Sequence, residues 1–234
     1  MTTISTCPPS FANDDVTERL AAVHERIARA GGDPEQLRVI AVTKGFGPEA
    51  VEAARAAGLT DVGENYATEL LAKAPGPPGT RWHFLGTIQR NKVRALAPLV
   101  DMWQGVARLA EGERIARYAP GARVLIQVDT SDGLPGRNGC PPQDVMALAT
   151  SLSTLDLHLE GLMTVAPPGD AASASASAFQ SVGRLADALG LKERSMGMSA
   201  DLEAAVAAGS TMVRIGRALF GERPPKAPQL SLPR

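Results

Sequence analysis

Residues 37–44 read LRVIAVTK, an apolar run with β-branched side chains at Val39, Ile40 and Val42 that ends on Thr43 and Lys44. Polar residues do not alternate through it, and its length suits a strand, so it predicts a parallel strand over 37–43 buried on both faces. Such strands need helices packed on them. Upstream, Val16, Leu20, Val23 and Ile27 repeat at helical spacing, predicting a helix from about Asp14 to Ala30 that Asn13 or Asp14 caps and Gly31-Gly32 ends.

The same alternation continues to the end of the chain. Strand-like segments recur near 61–64, 81–86, 102–106, 123–129, 157–165, 194–198 and 212–216, which with 37–43 makes eight. Between them lie stretches such as PEAVEAARAAG, QRNKVRALAPL and SADLEAAVAAG, each long enough for a crossover helix. The pattern predicts an α/β fold, a single (β/α)8 TIM barrel with an extra N-terminal helix; a doubly wound open sheet is the other arrangement that it allows. APGPPGT at 74–80 and PPGDAASASASA at 167–178 read as loops, the second as mobile or a weak helix start, and the tail PPKAPQLSLPR as loosely held. None resembles a linker, so one domain over 1–234, with a core at about 15–221, is expected.

Composition narrows the function classes. The 234 residues carry a formal net charge of -1, which gives no basic excess for nucleic acid or an anionic membrane surface. No run approaches the roughly 20 apolar residues that span a bilayer. The opening MTTISTCPPSFANDD lacks the basic start and apolar core of a secretory signal, and the expected location is cytoplasmic. Cys7 and Cys140 form no CxxC and have no metal-type spacing with His24, His83 or His158; both read as incidental free thiols, and no metal is expected.

The polar residues that interrupt this pattern fall at strand carboxyl ends, where barrel enzymes build their sites. Lys44 closes the first strand; Asn65, Thr87, Asp129, Thr164, Ser199 and Gly216 follow the second, third, fifth, sixth, seventh and eighth. An apolar strand delivers the Lys44 amine into a partly desolvated cavity, where its pKa falls and the free base becomes available to an aldehyde. The plainer reading is a lysine snorkelling from a strand end. GMSADLEAA and RIGRALFG supply helix starts and a small residue, Gly216, suited to a phosphate, with Arg217 adding charge; Ser199 alone reads as a helix N-cap. Arg214, inside an apolar strand, needs an acceptor: a ligand nitrogen, or a carboxylate on a neighbouring element. His83, between Trp82 and Phe84, is a site residue or a satisfied core histidine, and RNK at 90–92 reads as a solvated face.

The ordered set AVTK, VGENY, WHFLGTIQRNK, IQVD, GLMTVAP, SMGMSADLEAAVAAGSTMVRIG and ALFG resembles the pyridoxal phosphate homeostasis protein family, relatives of the barrel domain of alanine racemase, over about residues 15–221. The resemblance implies the alanine racemase N-terminal domain barrel, fold type III of the proteins that bind pyridoxal 5'-phosphate (PLP). It implies that Lys44 carries PLP as an internal aldimine, that Ser199 and the backbone at Gly216 and Arg217 hold the phosphate, and that Arg214 faces the pyridine nitrogen. Asn65, His83, Thr87 and Met163 match pocket-lining positions. Two departures stand out: Arg217 replaces a frequent threonine, and Arg137 replaces a common lysine and can form no Schiff base.

The implied function is a PLP-binding protein of intracellular vitamin B6 homeostasis, with apo PLP-dependent enzymes as partners. The alternative is an amino-acid racemase of low activity. Racemisation by two bases needs an acceptor on each face of the ligand. In the racemases the opposing tyrosine comes from a second domain and partner subunit, for which no residues remain here. Tyr66 and Tyr118 are the only tyrosines, with Tyr66 placed near the rim. The expected protein is therefore a monomeric carrier more than an enzyme.

Overall fold

A computed structural model describes residues 13–131, 133–167 and 172–223. Cys7 and the tail at 224–234 lie outside them, as does the side-chain cap expected at Asn13 or Asp14. The element order is α1 (Asn13–Arg29), β1 (Arg38–Val42), α2 (Pro48–Ala56), β2 (Asp61–Glu64), α3 (Ala67–Lys73), β3 (Arg81–Phe84), α4 (Val93–Leu96), β4 (Val100–Val106), α5 (Leu109–Tyr118) and β5 (Ala122–Val128). A 3-10 turn (Pro142–Asp144) leads into α6 (Val145–Leu152), β6 (Leu157–Thr164), α7 (Ala172–Ala188), β7 (Glu193–Ser195), α8 (Leu202–Ala207), β8 (Met212–Ile215) and α9 (Arg217–Phe220).

The strands close in sequence order into an eight-stranded parallel barrel, so the open-sheet alternative is excluded. Closure is made by β1 against β8, with Ile40 opposite Arg214 and Ala41 opposite Ile215. Strand alternation sorts β1 between two environments. Val39 and Ala41 face outward into a cluster with Val16, Leu20, Val23 and Ile27 of α1 and Leu219 and Phe220 of α9. Ile40 faces inward into a layer with Met102, Leu125, Met163 and Met212. The leading helix thus covers the barrel wall where α9 has only four residues, and each apolar side chain it buries contributes about 1.5–3 kcal/mol.

Three sequence expectations change. Residues 167–178 are not a loop throughout: α7 begins at Ala172, and Ser175, Phe179, Val182 and Ala186 are buried at helical spacing. Alanine loses little side-chain entropy in a helix, so a small-residue run tolerates it once Phe179 and Val182 anchor the face. The segment QRNKVRALAPL forms only the four residues of α4, because Pro98 prevents continuation and Lys92 N–H turns back to the Gln89 carbonyl. The seventh strand, expected over 194–198, is three residues long, and Gly197 adopts φ +91°, which ends it.

Candidate functional site

All seven rim residues stand at the carboxyl ends of the strands, Thr164 as the last residue of β6 and the other six on the loops beyond. Lys44 lies two residues beyond β1 and is half-buried; its amine makes no hydrogen bond or ion pair among the described residues. Burial, followed by the charges of Arg223 and Arg214, pushes the amine below the ordinary lysine range. It lines a cavity of about 240 Å³ with Asn65, Thr87, Asp129, Arg137 and Met198, floored by Leu85 and Gly86. Gly86 is required there, since a Cβ would sit 1.9 Å from the Asn65 carbonyl oxygen.

A second cavity, of about 260 Å³, is lined by Val42, Phe46, Gly216, Arg217, Gly221, Glu222 and Arg223. Gly216 packs against the Val42 carbonyl, where an added Cβ would come within 3.1 Å. Ser199 is not the cap of α8, as its sequence context suggests. Asp201 takes that position and accepts the Met198 N–H at 2.5 Å, while the Ser199 hydroxyl accepts the Ala218 N–H at 3.1 Å. Ser199 is thereby placed against the turn that opens α9. The Arg217 guanidinium pairs with Glu222 at 3.1 Å and is largely exposed, which leaves its backbone as the part that faces the turn. Arg223 was not legible as a site residue; its stem lies on Gly45, within 3.0 Å of where a Cβ would be, and its charge reaches Lys44.

Arg214 points into the barrel and is 5 % exposed. It does not face a carboxylate at bonding distance. Nη1 donates to the Ser195 carbonyl at 2.6 Å and hydroxyl at 2.8 Å, and Nη2 donates to the Thr164 carbonyl at 2.6 Å. A guanidinium has five N–H donors. Two therefore remain without a partner among the described residues. Burial lowers the pKa to about 10, with Asp201 acting in the opposite direction, so the group stays charged at neutral pH.

His83 is 2 % exposed and bonds through both ring nitrogens inside the barrel, to Asp61 and to Gln104, each at 2.8 Å. It is a satisfied interior histidine and does not touch the Lys44 cavity. Met163 belongs to the apolar interior layer below that cavity, and Met198 lies on the cavity wall instead. Gln127 and Asn138 were also missed: they bond each other side chain to side chain at 2.9 Å and form the wall beneath Arg137. Among the described residues no group of His, Cys, Asp or Glu is arranged to hold a metal, and Cys140 is a buried free thiol pushed up to about 11 by burial. No helix among them is long and apolar enough to cross a membrane.

A lysine just beyond β1, a glycine turn after β8 and an inward arginine on β8 define a class of barrel, and residues 17–224 match the model of the alanine racemase N-terminal domain. Within that class, the chain belongs to the pyridoxal phosphate homeostasis protein family. It is 39% identical to the family protein of Pseudomonas aeruginosa, over 92% of this chain and 97% of that one. Against the Deinococcus radiodurans protein the identity is 38%, over 86% and 97%. PipY of Synechococcus elongatus, solved with PLP bound, superimposes with a TM-score of 0.77 at 33% identity, covering 88% of this chain and all of that one.

Proposed function

We propose that this chain binds PLP covalently and reversibly through the Lys44 amine and serves as a PLP carrier in vitamin B6 homeostasis. The observation that carries the reading is the unpartnered, half-buried Lys44 amine, on which the charge of an inward arginine with two spare donors acts. The residues fit the ligand at each end. A pyridine nitrogen accepts from Arg214; a phosphate meets Ser199 and the backbone at Gly216 and Arg217, with Arg223 beside it. Bound PLP supplies an aldehyde, the electrophile for a neutral amine. An arginine at the ring nitrogen keeps it unprotonated, which weakens the ring as an electron sink and suits holding more than turnover.

The racemase alternative needs a proton acceptor opposite Lys44. Tyr66 follows β2 but is 54% exposed as the residue before α3, and Tyr118 ends α5, at the opposite end of the barrel, where Arg114 stacks 4.5 Å over its ring. The carrier reading includes delivery to apo PLP-dependent enzymes, cytoplasmic action and a monomeric state. The test is the absorbance of the protein with PLP, then borohydride reduction and peptide mapping, for wild type and Lys44→Ala. An adduct on the Lys44 peptide that the variant lacks is expected; no band and no adduct would overturn the reading.

A further inference from the structure

Five side chains from four strands and one strand start form an unbroken chain across the barrel interior. Arg214 Nη1 meets Ser195 Oγ at 2.8 Å, Ser195 Oγ meets Gln104 Oε1 at 2.7 Å, Gln104 Nε2 meets His83 Nδ1 at 2.8 Å, and His83 Nε2 meets Asp61 Oδ1 at 2.8 Å. All five residues are buried, none more than 5 % exposed. The ends fix the direction of the middle. Arginine only donates and an ionised carboxylate only accepts. Ser195 Oγ therefore accepts from Arg214 and directs its own proton to Gln104, and His83 donates from Nε2 and accepts at Nδ1 from the Gln104 amide. Every donor arrow runs from the cation to the anion.

Aligned hydrogen bonds of this kind polarise one another, and both terminal bonds are charge-assisted. Asp61, whose carboxylate also pairs with Arg81, closes the chain at its far end, so Arg214 is linked to it through three uncharged side chains and not by a direct pair. A carboxylate in direct contact would take up the N–H groups that remain spare. A serine hydroxyl can rotate and an imidazole can change tautomer, but the Gln104 oxygen only accepts, here from Ser195, and its nitrogen only donates, here to His83, so Gln104 holds the direction.

We propose that Gln104 is a positioning residue for the ligand: acting through Ser195, it fixes the Arg214 guanidinium so that its two spare N–H groups are presented to an aromatic ring nitrogen. The proposal rests on the PLP reading and adds to it a residue that no pocket-lining argument selects.

The test compares PLP with its 1-deaza analogue, in which the ring nitrogen is replaced by C–H, on wild type, Gln104→Leu and Ser195→Ala. Ser195→Ala removes a single hydroxyl and serves if Gln104→Leu fails to fold. A bond from a charged donor to the nitrogen corresponds to roughly tenfold or more in Kd. Both variants are expected to lose about that factor for PLP and to bind the analogue as wild type does, with the Lys44 adduct still trapped by borohydride. In 15N-labelled protein, PLP is expected to shift the His83 ring nitrogens in wild type and not in Ser195→Ala. Equal losses for PLP and the analogue would show a merely structural role and overturn the proposal, as would unchanged selectivity. Wild type forming no adduct with either compound would instead overturn the PLP reading on which it rests.

Discussion

Lys73 Nζ donates a 2.8 Å hydrogen bond to the carbonyl oxygen of Thr43, the residue before Lys44. The same amine pairs with Glu64 at 2.5 Å, Glu64 accepts the Thr43 hydroxyl at 2.6 Å, and Glu69 accepts the Gly45 N–H at 2.7 Å. Both neighbours of Lys44 are therefore tied to α3 and the end of β2, and the amine projects from a backbone fixed on either side.

Lys73→Met is expected to be strongly destabilising. The Lys73 and Glu64 side chains are 3% and 0% exposed, and Glu64 Oε2 already has no bonding partner. Removing one member of a buried pair typically costs about 3–5 kcal/mol, because the other charge is left uncompensated. Thermal melting should show a large fall in Tm that Lys73→Met combined with Glu64→Gln partly recovers. Equal melting of the single and double variants would mean that the Glu64 charge is not what the lysine supports.

Adduct formation at Lys44 should titrate below the ordinary lysine value of about 10.4. Burial is the main cause, and the charge of Arg223 comes next. Only the neutral amine attacks an aldehyde, so the rate rises with pH through the lowered pKa. Arg223→Ala removes a nearby cation, makes the ammonium form more favourable and moves the midpoint upward. A midpoint that stays in place, or moves down, would show that Arg223 does not act on this amine. The rate of PLP adduct formation against pH is the measurement.

The barrel and Lys44 were legible because their signals are local: an apolar run of strand length repeated with helical stretches between, and a lysine closing one of them. Gln104, Ser195 and Asp61 were not. Each is an ordinary polar residue on its own strand, and residues far apart in sequence meet only when β8 closes on β1. The available signal was a polar residue facing inward on each of β3, β4, β7 and β8. The expected cap at Ser199 failed for a related reason: capping preference is local, Asp201 two residues later took the position, and the hydroxyl found a distant partner in Ala218.

Asp61→Asn should show its largest destabilisation near neutral pH. Burial alone would raise this carboxyl, but hydrogen bonds from His83 and Arg81 outweigh it and hold the group well below the usual carboxylate range. With the folded pKa depressed, the stabilisation is fully present above the unfolded value of about 3.9 and is lost as pH falls from there through the folded pKa. The difference in urea stability between wild type and Asp61→Asn should therefore be larger at pH 7 than at pH 3.5. A constant difference would assign the effect to packing.

Arg137→Lys should create a second point of attachment. Arg137 lines the Lys44 cavity and is half-buried, and a guanidinium forms no imine with an aldehyde. A lysine there places another amine on the loop after β5, across the cavity from Lys44. Reduction of the wild-type protein with bound PLP is expected to label the Lys44 peptide alone, and reduction of Arg137→Lys to label a second peptide as well. In Lys44→Ala combined with Arg137→Lys, label on the new lysine would establish that an amine at position 137 reaches the aldehyde without help from Lys44. If the double variant takes no label while the single variant is labelled only at Lys44, the loop does not bring position 137 within reach of the aldehyde.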